Sequence, residues 1–132
     1  MRCFVDTSAF LAILNRDDEN HSRAARQWEA VLGEDWDLVT TSYVLVETFS
    51  VCQARLGIKA ARAFHTNVTP LLSVEWISAE RHAAAASAVL AAGKRKLSLV
   101  DCVSFETMRQ LNLNHAFAFD RHFREQGFVL VP

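Results

Sequence analysis

Five short apolar runs, rich in β-branched and aromatic residues, recur along the chain and predict β-strands. They are RCFV, DLVTT, LSVEWI, HAFAF and FVLV, at residues 2–5, 37–41, 72–77, 115–119 and 128–131. Each run is separated from the next by at least one stretch in which apolar residues recur at helical spacing. The chain therefore alternates predicted strands with predicted helices.

Helical periodicity predicts helices at residues 7–15, 18–33, 42–57, 58–67, 79–92, 98–112 and 121–126. Ser42 and Gly57 supply a start and a stop signal for the third of these helices, and Gly93 ends the alanine-rich fifth. Strands that alternate with helices in this way are typical of a parallel sheet with helices on both faces. The pattern predicts a three-layer α/β fold.

Composition limits the class of protein. With 132 residues, of which 51% are hydrophobic and 22% charged, we expect a single globular domain over residues 1–132. The three cysteines are scattered and lack the close pairing of zinc sites and disulfide scaffolds, so we interpret them as reduced core residues. The chain has no apolar run of signal or membrane-spanning length, so we expect a cytoplasmic protein that does not bind membranes.

The formal net charge of −1 gives no global basic signature of nucleic-acid binding. A local basic face or bound cations could still recruit phosphate groups. Net charge therefore does not decide between the classes of partner.

Two predicted strands end on an aspartate. Asp6 closes the first strand and Asp120 closes the fourth, and in open parallel sheets the functional crevice lies beyond the carboxyl ends of the strands. A strand-end Asp also caps the next helix, because its oxygens accept the free amides of the first turn. Capping is the simpler explanation for one such residue, and the presence of two shifts the balance toward a shared site only moderately.

Two further acids lie in apolar surroundings on predicted helices. The helical neighbours of Glu47 form a mostly apolar face that we expect to point toward the core. A buried carboxylate needs a cation, strong donors or a solvent-filled cleft, and the structural alternative is an ion pair with Arg55 or Arg2. Asp101 repeats the pattern, and its structural alternative is an acid that the helix dipole favours at a helix N-terminus.

The alternatives explain each acid separately but not why a parallel sheet can bring all four together. Like charges a few ångströms apart repel strongly unless a cation neutralises them. Oxygen ligands select hard ions, chiefly Mg²⁺ or Mn²⁺. Such ions activate water and stabilise the charge that develops on a phosphodiester, so the predicted chemistry is that of a nuclease.

The chain resembles the PIN domain, the metal-dependent ribonuclease fold that includes the VapC-type toxins of bacterial and archaeal toxin–antitoxin pairs. The resemblance extends over essentially the whole chain. It rests on four segments in this order: FVDTSAFLAIL, SYVLVETFS, SLVDCVSF and FAFDRHF.

The resemblance implies a five-stranded parallel sheet flanked by helices. It also implies a catalytic and metal-binding site on four acids: Asp6, Glu47, Asp101 and Asp120. Thr7 or Ser8, together with Ser98, match polar positions that orient metal waters or ligands in the family. Some relatives place another acid shortly after the last Asp; here that neighbourhood is basic, so we expect one Mg²⁺ or Mn²⁺ ion.

Two basic groups adjoin the proposed site. We predict that Lys94, Arg95, Lys96 and Arg121 bind RNA phosphates. Solvated surface charge explains them equally well, because a basic tripeptide after a helix-ending glycine also suits the negative end of the helix dipole. None of the five histidines shows metal-ligand spacing, and only His122 is worth testing, because of its place near Asp120.

Protein partners are a further expectation. Apolar residues on the first two helices, Phe10, Leu14, Trp28 and Leu32, could overfill a small core, which favours a homodimer. The resemblance also implies an antitoxin partner.

Three hypotheses remain open from the sequence. The leading one is a metal-dependent endoribonuclease, the toxin of a toxin–antitoxin pair. The second is a non-catalytic PIN-like module that binds RNA or a protein partner. An aspartyl-phosphate phosphatase is disfavoured, because that pattern has a second Asp two residues after the first, where this chain has Ser8.

Overall fold

A five-stranded sheet, parallel throughout, runs through the computed structural model, which describes residues 1–132. The strands are β1 (Arg2–Val5), β2 (Asp37–Thr41), β3 (Leu72–Glu75), β4 (His115–Phe117) and β5 (Val129–Val131). Their order across the sheet is β3-β2-β1-β4-β5. The predicted parallel α/β architecture is confirmed.

The strand order reverses between the two neighbouring strands β1 and β4. From β1 the chain builds outward through β2 to β3, and it then crosses back to place β4 and β5 on the other side of β1. In open α/β sheets the crevice at such a switch point, beyond the carboxyl ends of the strands, is where ligands bind. Val5 pairs with Phe117, so β1 and β4 end side by side at this crevice.

Seven α-helices flank the sheet. They are α1 (Thr7–Leu14), α2 (His21–Gly33), α3 (Ser42–Val51), α4 (Ile58–Ala63), α5 (Ala79–Ala92), α6 (Leu99–Gln110) and α7 (His122–Glu125). Side-chain oxygens cap four of them, because Asp6, Thr41, Ser78 and Ser98 accept from first-turn amides. Gly93 ends α5 in the left-handed region, with φ of 61°, and directs the chain into the basic tripeptide. None of the helices combines the length and the apolarity needed to cross a bilayer.

The clearest differences from the predicted bounds are in two helices and two strands, each of which ends early. The helices predicted at 42–57 and 58–67 end as π-helical turns, Cys52–Leu56 and Phe64–Val68, and a 3-10 turn at Thr69–Leu71 follows. The fourth strand ends at Phe117 because the next residues leave the ladder: the Phe119 amide donates to Ser8 Oγ at 3.0 Å. The third strand ends at Glu75, which leaves Trp76 73% exposed.

Aromatic side chains fill much of the core. Phe10 packs edge-on against Phe64 with ring centroids 5.2 Å apart, and Phe123 meets Phe105 at 5.0 Å. Phe10 is 1% exposed, and Leu14 and Trp28 pack partly buried against the core, so of the four apolar residues predicted to overfill it only Leu32, at 42%, lies on the surface. The core accommodates most of the apolar surface that these four residues carry.

The cysteines are free and buried, as predicted. Burial raises the pKa of the Cys3 thiol to about 12. Burial also raises the pKa values of the Cys52 and Cys102 thiols. The protonated thiols are therefore poor nucleophiles and poor metal ligands.

Candidate metal centre

Three of the four predicted acids meet at the carboxyl edge of the sheet. Asp6 directly follows β1, Asp120 lies three residues after β4, and Asp101 lies in the first turn of α6. The charges of Asp101 and Asp120 both act on Asp6, and that of Asp120 acts on Asp101. The parallel topology thus brings together residues that are far apart in the sequence.

Hydrogen bonds hold both the backbone and the side chain of Asp6 in place. Its backbone amide donates to Phe117 O at 3.0 Å, which ties the end of β1 to the end of β4. Its Oδ2 accepts from the Ser8 amide at 3.1 Å and from Ser8 Oγ at 2.7 Å. Asp6 therefore does cap α1, and the charges of Asp101 and Asp120 act on the same carboxylate.

Ser8 links two of the acid-bearing segments. Its hydroxyl donates to Asp6 and accepts from the Phe119 amide, one residue before Asp120. Thr7 is buried, and its Oγ1 accepts from Thr48 Oγ1 at 3.3 Å, which connects α1 to α3. Ser8 and Thr7 thus hold the frame of the site together.

Asp101 belongs to a reciprocal capping box. Its amide donates to Ser98 Oγ at 3.0 Å, and its Oδ2 accepts from the Ser98 amide at 3.3 Å. Asp101 thus lies in the first turn of α6, where the helix dipole favours an acid, as its structural alternative predicted, and Ser98 orients its carboxylate. Asp6 and Asp101 therefore serve both roles, since each bonds to backbone amides through Oδ2 and has Oδ1 free of hydrogen bonds. Asp120 does not cap α7, although its Oδ1 accepts from the His122 amide.

Asp120 and His122 form a compact pair. Asp120 Oδ1 accepts from the His122 amide at 2.9 Å, and His122 Nδ1 also lies 2.9 Å from that oxygen. The Nδ1 approach does not have hydrogen-bond geometry, so this inaccessible nitrogen has no hydrogen-bond partner. One ligand atom from each of Asp101, Asp120 and His122 lies within 4.8 Å of the others.

The electrostatics of the cluster suit a bound cation. Asp6 is only 5% exposed, and burial is the main cause that raises its pKa from 3.8 to about 6. Ser8 opposes this rise, and the negative charges of Asp101 and Asp120 add to it. Burial also raises the pKa of Asp101, and the Asp120 charge adds to that rise. A divalent cation would remove the repulsion, and carboxylate oxygens are the ligands that Mg²⁺ and Mn²⁺ prefer.

Glu47 stands apart from this cluster. It lies half-buried on α3, one residue before the buried Thr48, rather than in the core. The ion pair considered for it does not form, because Arg2 pairs with Asp37 at 3.3 Å and Arg55 enters no ion pair. Neither Glu47 nor Asp6 belongs to the group of ligand atoms within 4.8 Å of one another, but the charges of Asp101 and Asp120, and not that of Glu47, act on Asp6.

The basic residues predicted to bind phosphate lie on the surface. Lys94, Arg95 and Lys96 are exposed in the turn that leads into α6, and none is in an ion pair. Arg121 is exposed and forms a 3.7 Å pair with Glu125. Exposed pairs of this kind contribute little free energy, so Arg121 can exchange this partner for a phosphate.

His122 belongs to the cluster, but no sequence motif identifies it as a metal-site residue. It has no second histidine or cysteine at ligand spacing, so its place after Asp120 was the only signal in the sequence. The structure supplies the missing information, since Asp101 comes from a different helix.

Comparison with known proteins gives a consistent family. The family model of the PIN domain matches residues 3–129. The "23S rRNA-specific endonuclease VapC20" of Mycobacterium tuberculosis is 33% identical over 129 residues, which cover 97% of this chain and 96% of that protein. Its crystal structure, described as a Sarcin-Ricin loop cleaving toxin, has a TM-score of 0.87 and 32% identity, over 98% of this chain and 99% of that one.

Two more distant structures share the fold. FitAcB from Neisseria gonorrhoeae has a TM-score of 0.69 at 17% identity, over 100% of this chain and 97% of that one. VapBC2 from Rickettsia felis, bound to a DNA fragment from its promoter, has a TM-score of 0.71 at 12% identity, over 98% and 97% of the two chains.

Proposed function

Because the chain belongs to the PIN domain family and is a VapC-like endoribonuclease, we propose that it hydrolyses RNA phosphodiester bonds at the acidic edge of its sheet. The proposed catalytic and metal-binding residues are Asp6, Glu47, Asp101 and Asp120. The observation that carries this assignment is the meeting of three carboxylates from three separate segments, two of them with raised pKa values. Helix capping accounts for the positions of Asp6 and Asp101 but not for that of Asp120 or for the repulsion among the three charges.

PIN nucleases depend on metal ions, and the donor set of this site fits a divalent cation. Asp6, Asp101 and Asp120 would hold the ion, and we propose that Glu47 reaches it from α3, directly or through water. When bound, such an ion supplies an activated water and stabilises charge on the phosphodiester. We propose Mg²⁺ or Mn²⁺ as the ion, since both accept carboxylate and water oxygens.

The protein side chains contribute positioning and charge balance. Ser8 holds Asp6 and the backbone next to Asp120 in one hydrogen-bonded unit, and Ser98 holds Asp101. These contacts keep the carboxylates in place before the substrate arrives, which lowers the reorganisation that the reaction requires. We propose that Lys94, Arg95, Lys96 and Arg121 attract the RNA backbone toward this negative edge.

The proposed substrate class is ribosomal RNA. The relative at 33% identity is named as an endonuclease specific for 23S rRNA, and its match extends over nearly the whole of both chains. An open crevice at the edge of a sheet suits a single-stranded or looped segment, in which bases and backbone are accessible. This substrate implies that the protein acts in the cytoplasm.

We further propose an antitoxin partner and a homodimer. The more distant relatives by fold include toxin–antitoxin proteins, named VapBC2 and FitAcB. On this chain, Val46, Phe49 and Trp76 are exposed beside an apolar groove near α3. Exposed apolar groups that cluster in this way are typical of protein interfaces. A Trp76→Ser variant that still elutes as the wild-type oligomer and still binds the antitoxin would argue against this face.

The first experiment is cleavage of total RNA and of intact ribosomes by the purified protein, with Mg²⁺, with Mn²⁺ and with a chelator. Asp120→Asn tests the site, and Asp35→Asn is the matched control. Asp35 is exposed at a left-handed turn, with φ of 57°, that asparagine also tolerates. We expect discrete metal-dependent cuts with the wild type and the control, and none with Asp120→Asn.

Two other outcomes have a defined meaning. Metal binding without cleavage of any RNA would favour the non-catalytic binding module. Cleavage that persists in Asp120→Asn would remove the acidic edge as the site of reaction.

A further inference from the structure

We propose that His122 is a direct ligand of the cation held by Asp101 and Asp120, and that its imidazole shifts the preference of the site from Mg²⁺ toward first-row transition ions. The inference rests on the proposed metal site and adds a nitrogen ligand to it. It follows from three features of the structure: the position of Nδ1, the way α7 holds the ring, and the chemistry of the donor set.

The Nδ1 atom of His122 is inaccessible to solvent, although the side chain as a whole is 22% exposed. It lies 2.9 Å from Asp120 Oδ1 without hydrogen-bond geometry and has no other partner. An inaccessible polar atom without a partner costs free energy, and native structures rarely leave one in that state without a reason. A bound cation would give Nδ1 a partner and would join it to Asp120 Oδ1, which otherwise accepts only from the His122 amide.

The spacing also suits shared ligation. Neighbouring ligand atoms on an octahedral ion with bonds of about 2.1 Å lie about 3.0 Å apart. Asp120 Oδ1 and His122 Nδ1 are 2.9 Å apart, and Asp101 places a carboxylate oxygen within 4.8 Å of them. The ligand atoms of Asp101, Asp120 and His122 are thus close enough for one ion to contact all of them after a small contraction.

The next residue fixes the direction of the imidazole. Phe123 is fully buried against Phe4, Phe105 and Phe128, with ring centroids 6.1, 5.0 and 6.5 Å away. This aromatic cluster anchors the short helix α7. At the start of that helix, the Asp120 carboxylate accepts a hydrogen bond from the His122 amide. The histidine therefore faces Asp120 because of the fold.

The donor set sets the expected selectivity. Mg²⁺ favours oxygen ligands and retains its waters, whereas imidazole suits first-row transition ions better. A site of several carboxylates and one imidazole should hold Mn²⁺ more tightly than an all-oxygen site would, relative to Mg²⁺. His122→Asp supplies the all-oxygen comparison within the same chain.

Mn²⁺ is the probe for the test, because it reports on its ligands directly. The full-length metal-free protein is loaded with Mn²⁺, and electron spin-echo envelope modulation detects nitrogen nuclei that are bonded to the ion. We expect ¹⁴N modulation in the wild type and in the control His65→Gln, whose histidine is exposed and distant in sequence. We expect no such modulation in His122→Gln or in His122→Asp.

Metal affinity provides a second readout. Loss of even an outer-shell partner costs about 10–100-fold in metal affinity, so we expect Mn²⁺ to bind His122→Gln at least about tenfold more weakly. His122→Asp should recover Mn²⁺ binding and should raise the affinity for Mg²⁺ relative to Mn²⁺. Free Mn²⁺, counted by electron paramagnetic resonance with and without competing Mg²⁺, measures both quantities.

The possible failures are distinguishable. Wild-type protein that binds Mn²⁺ and cleaves RNA but shows no ¹⁴N modulation overturns the His122 assignment and leaves the proposed function intact. Modulation that persists in a folded His122→Gln variant also overturns it. Wild-type protein that binds no Mn²⁺ overturns both. The wild-type spectrum alone tests whether a nitrogen atom is bonded to the ion, even if a variant fails to fold.

Discussion

Two regions of the proposed site position a carboxylate in different ways. At the sheet edge, each acid accepts a hydrogen bond from a backbone amide two or three residues away: Ser8 to Asp6, Ser98 to Asp101 and His122 to Asp120. On α3, Glu47 lies well inside a helix that Thr41 already caps, and it enters no ion pair.

This difference predicts that the edge acids and Glu47 contribute differently to activity and to stability. The edge acids are held in place by local backbone geometry, so their mutual repulsion is present before any ion binds. Glu47 keeps its side-chain freedom and would lose it on joining the ion. Removal of an edge acid should therefore cost more activity than removal of Glu47, and only the edge acids should destabilise the metal-free protein.

The largest expected effect is that of Asp101→Asn on cleavage. The ion contributes several kcal/mol of transition-state stabilisation, so loss of a fixed ligand should lower cleavage by at least about 1,000-fold, at about 1.4 kcal/mol per factor of ten. Asparagine can still accept from the Ser98 amide, so α6 should keep its cap. Rates of RNA cleavage at saturating Mn²⁺ measure this effect.

Asp101→Asn should also raise the metal-free melting temperature, because it removes one of the repelling charges. A clear fall would mean that the capping role of Asp101 outweighs its repulsion.

The next largest effect concerns stability and pH. Folded Asp6, with a pKa of about 6, holds its proton where the unfolded residue, at 3.8, has lost it. The folded state binds more protons in this window, so the free energy of unfolding falls as pH rises from about 4 to 6, by up to about 3 kcal/mol. Urea unfolding in chelator should show a smaller fall in Asp6→Asn than in the wild type. Parallel curves for the two proteins would contradict the burial of this charge.

Glu47→Gln should have a smaller effect on cleavage, about 10–100-fold, because its carboxylate is not held in place in advance. Most of this loss should appear as weaker metal binding, so raising the Mn²⁺ concentration should restore part of the rate. Titration of activity with Mn²⁺ measures it. A loss equal to that of Asp101→Asn, without recovery at high Mn²⁺, would place Glu47 with the fixed ligands.

The smallest effect is expected for the exposed tripeptide. A variant with Lys94→Ala, Arg95→Ala and Lys96→Ala should raise KM a few-fold, and each lost contact should reduce the dependence of log KM on log salt by about 0.7. Lys59→Ala, exposed on α4, is the matched control. An unchanged salt dependence would identify the tripeptide as ordinary surface charge.

The sequence predicts the parallel α/β architecture because strand and helix periodicities alternate clearly. It also identifies Asp6 and Asp120, because a parallel sheet aligns the carboxyl ends of its strands. It does not predict where strands end, since the end of β4 depends on hydrogen bonds to distant residues: Phe117 O accepts from the Asp6 amide, and the Phe119 amide donates to Ser8 Oγ.

Sequence periodicity also does not predict the position of Glu47 or the proximity of His122 to Asp101. Helical spacing shows which residues share a face with Glu47 but not how that face tilts against α1. His122 gains its importance from Asp101, which is 21 residues earlier and on another helix. Such relations depend on the packing of helices, which periodicity does not specify.

The separation of Asp6 and Asp120 along the chain has a consequence for how the protein is made. The ribosome adds the 113 residues that lie between these two positions in roughly 6 to 23 seconds, at about 5–20 residues per second. During that time the nascent chain holds β1 without the neighbouring strand β4, and Asp6 has no Asp120 beside it. The acidic edge of the sheet is therefore incomplete on the nascent chain until β4 has emerged and docked beside β1.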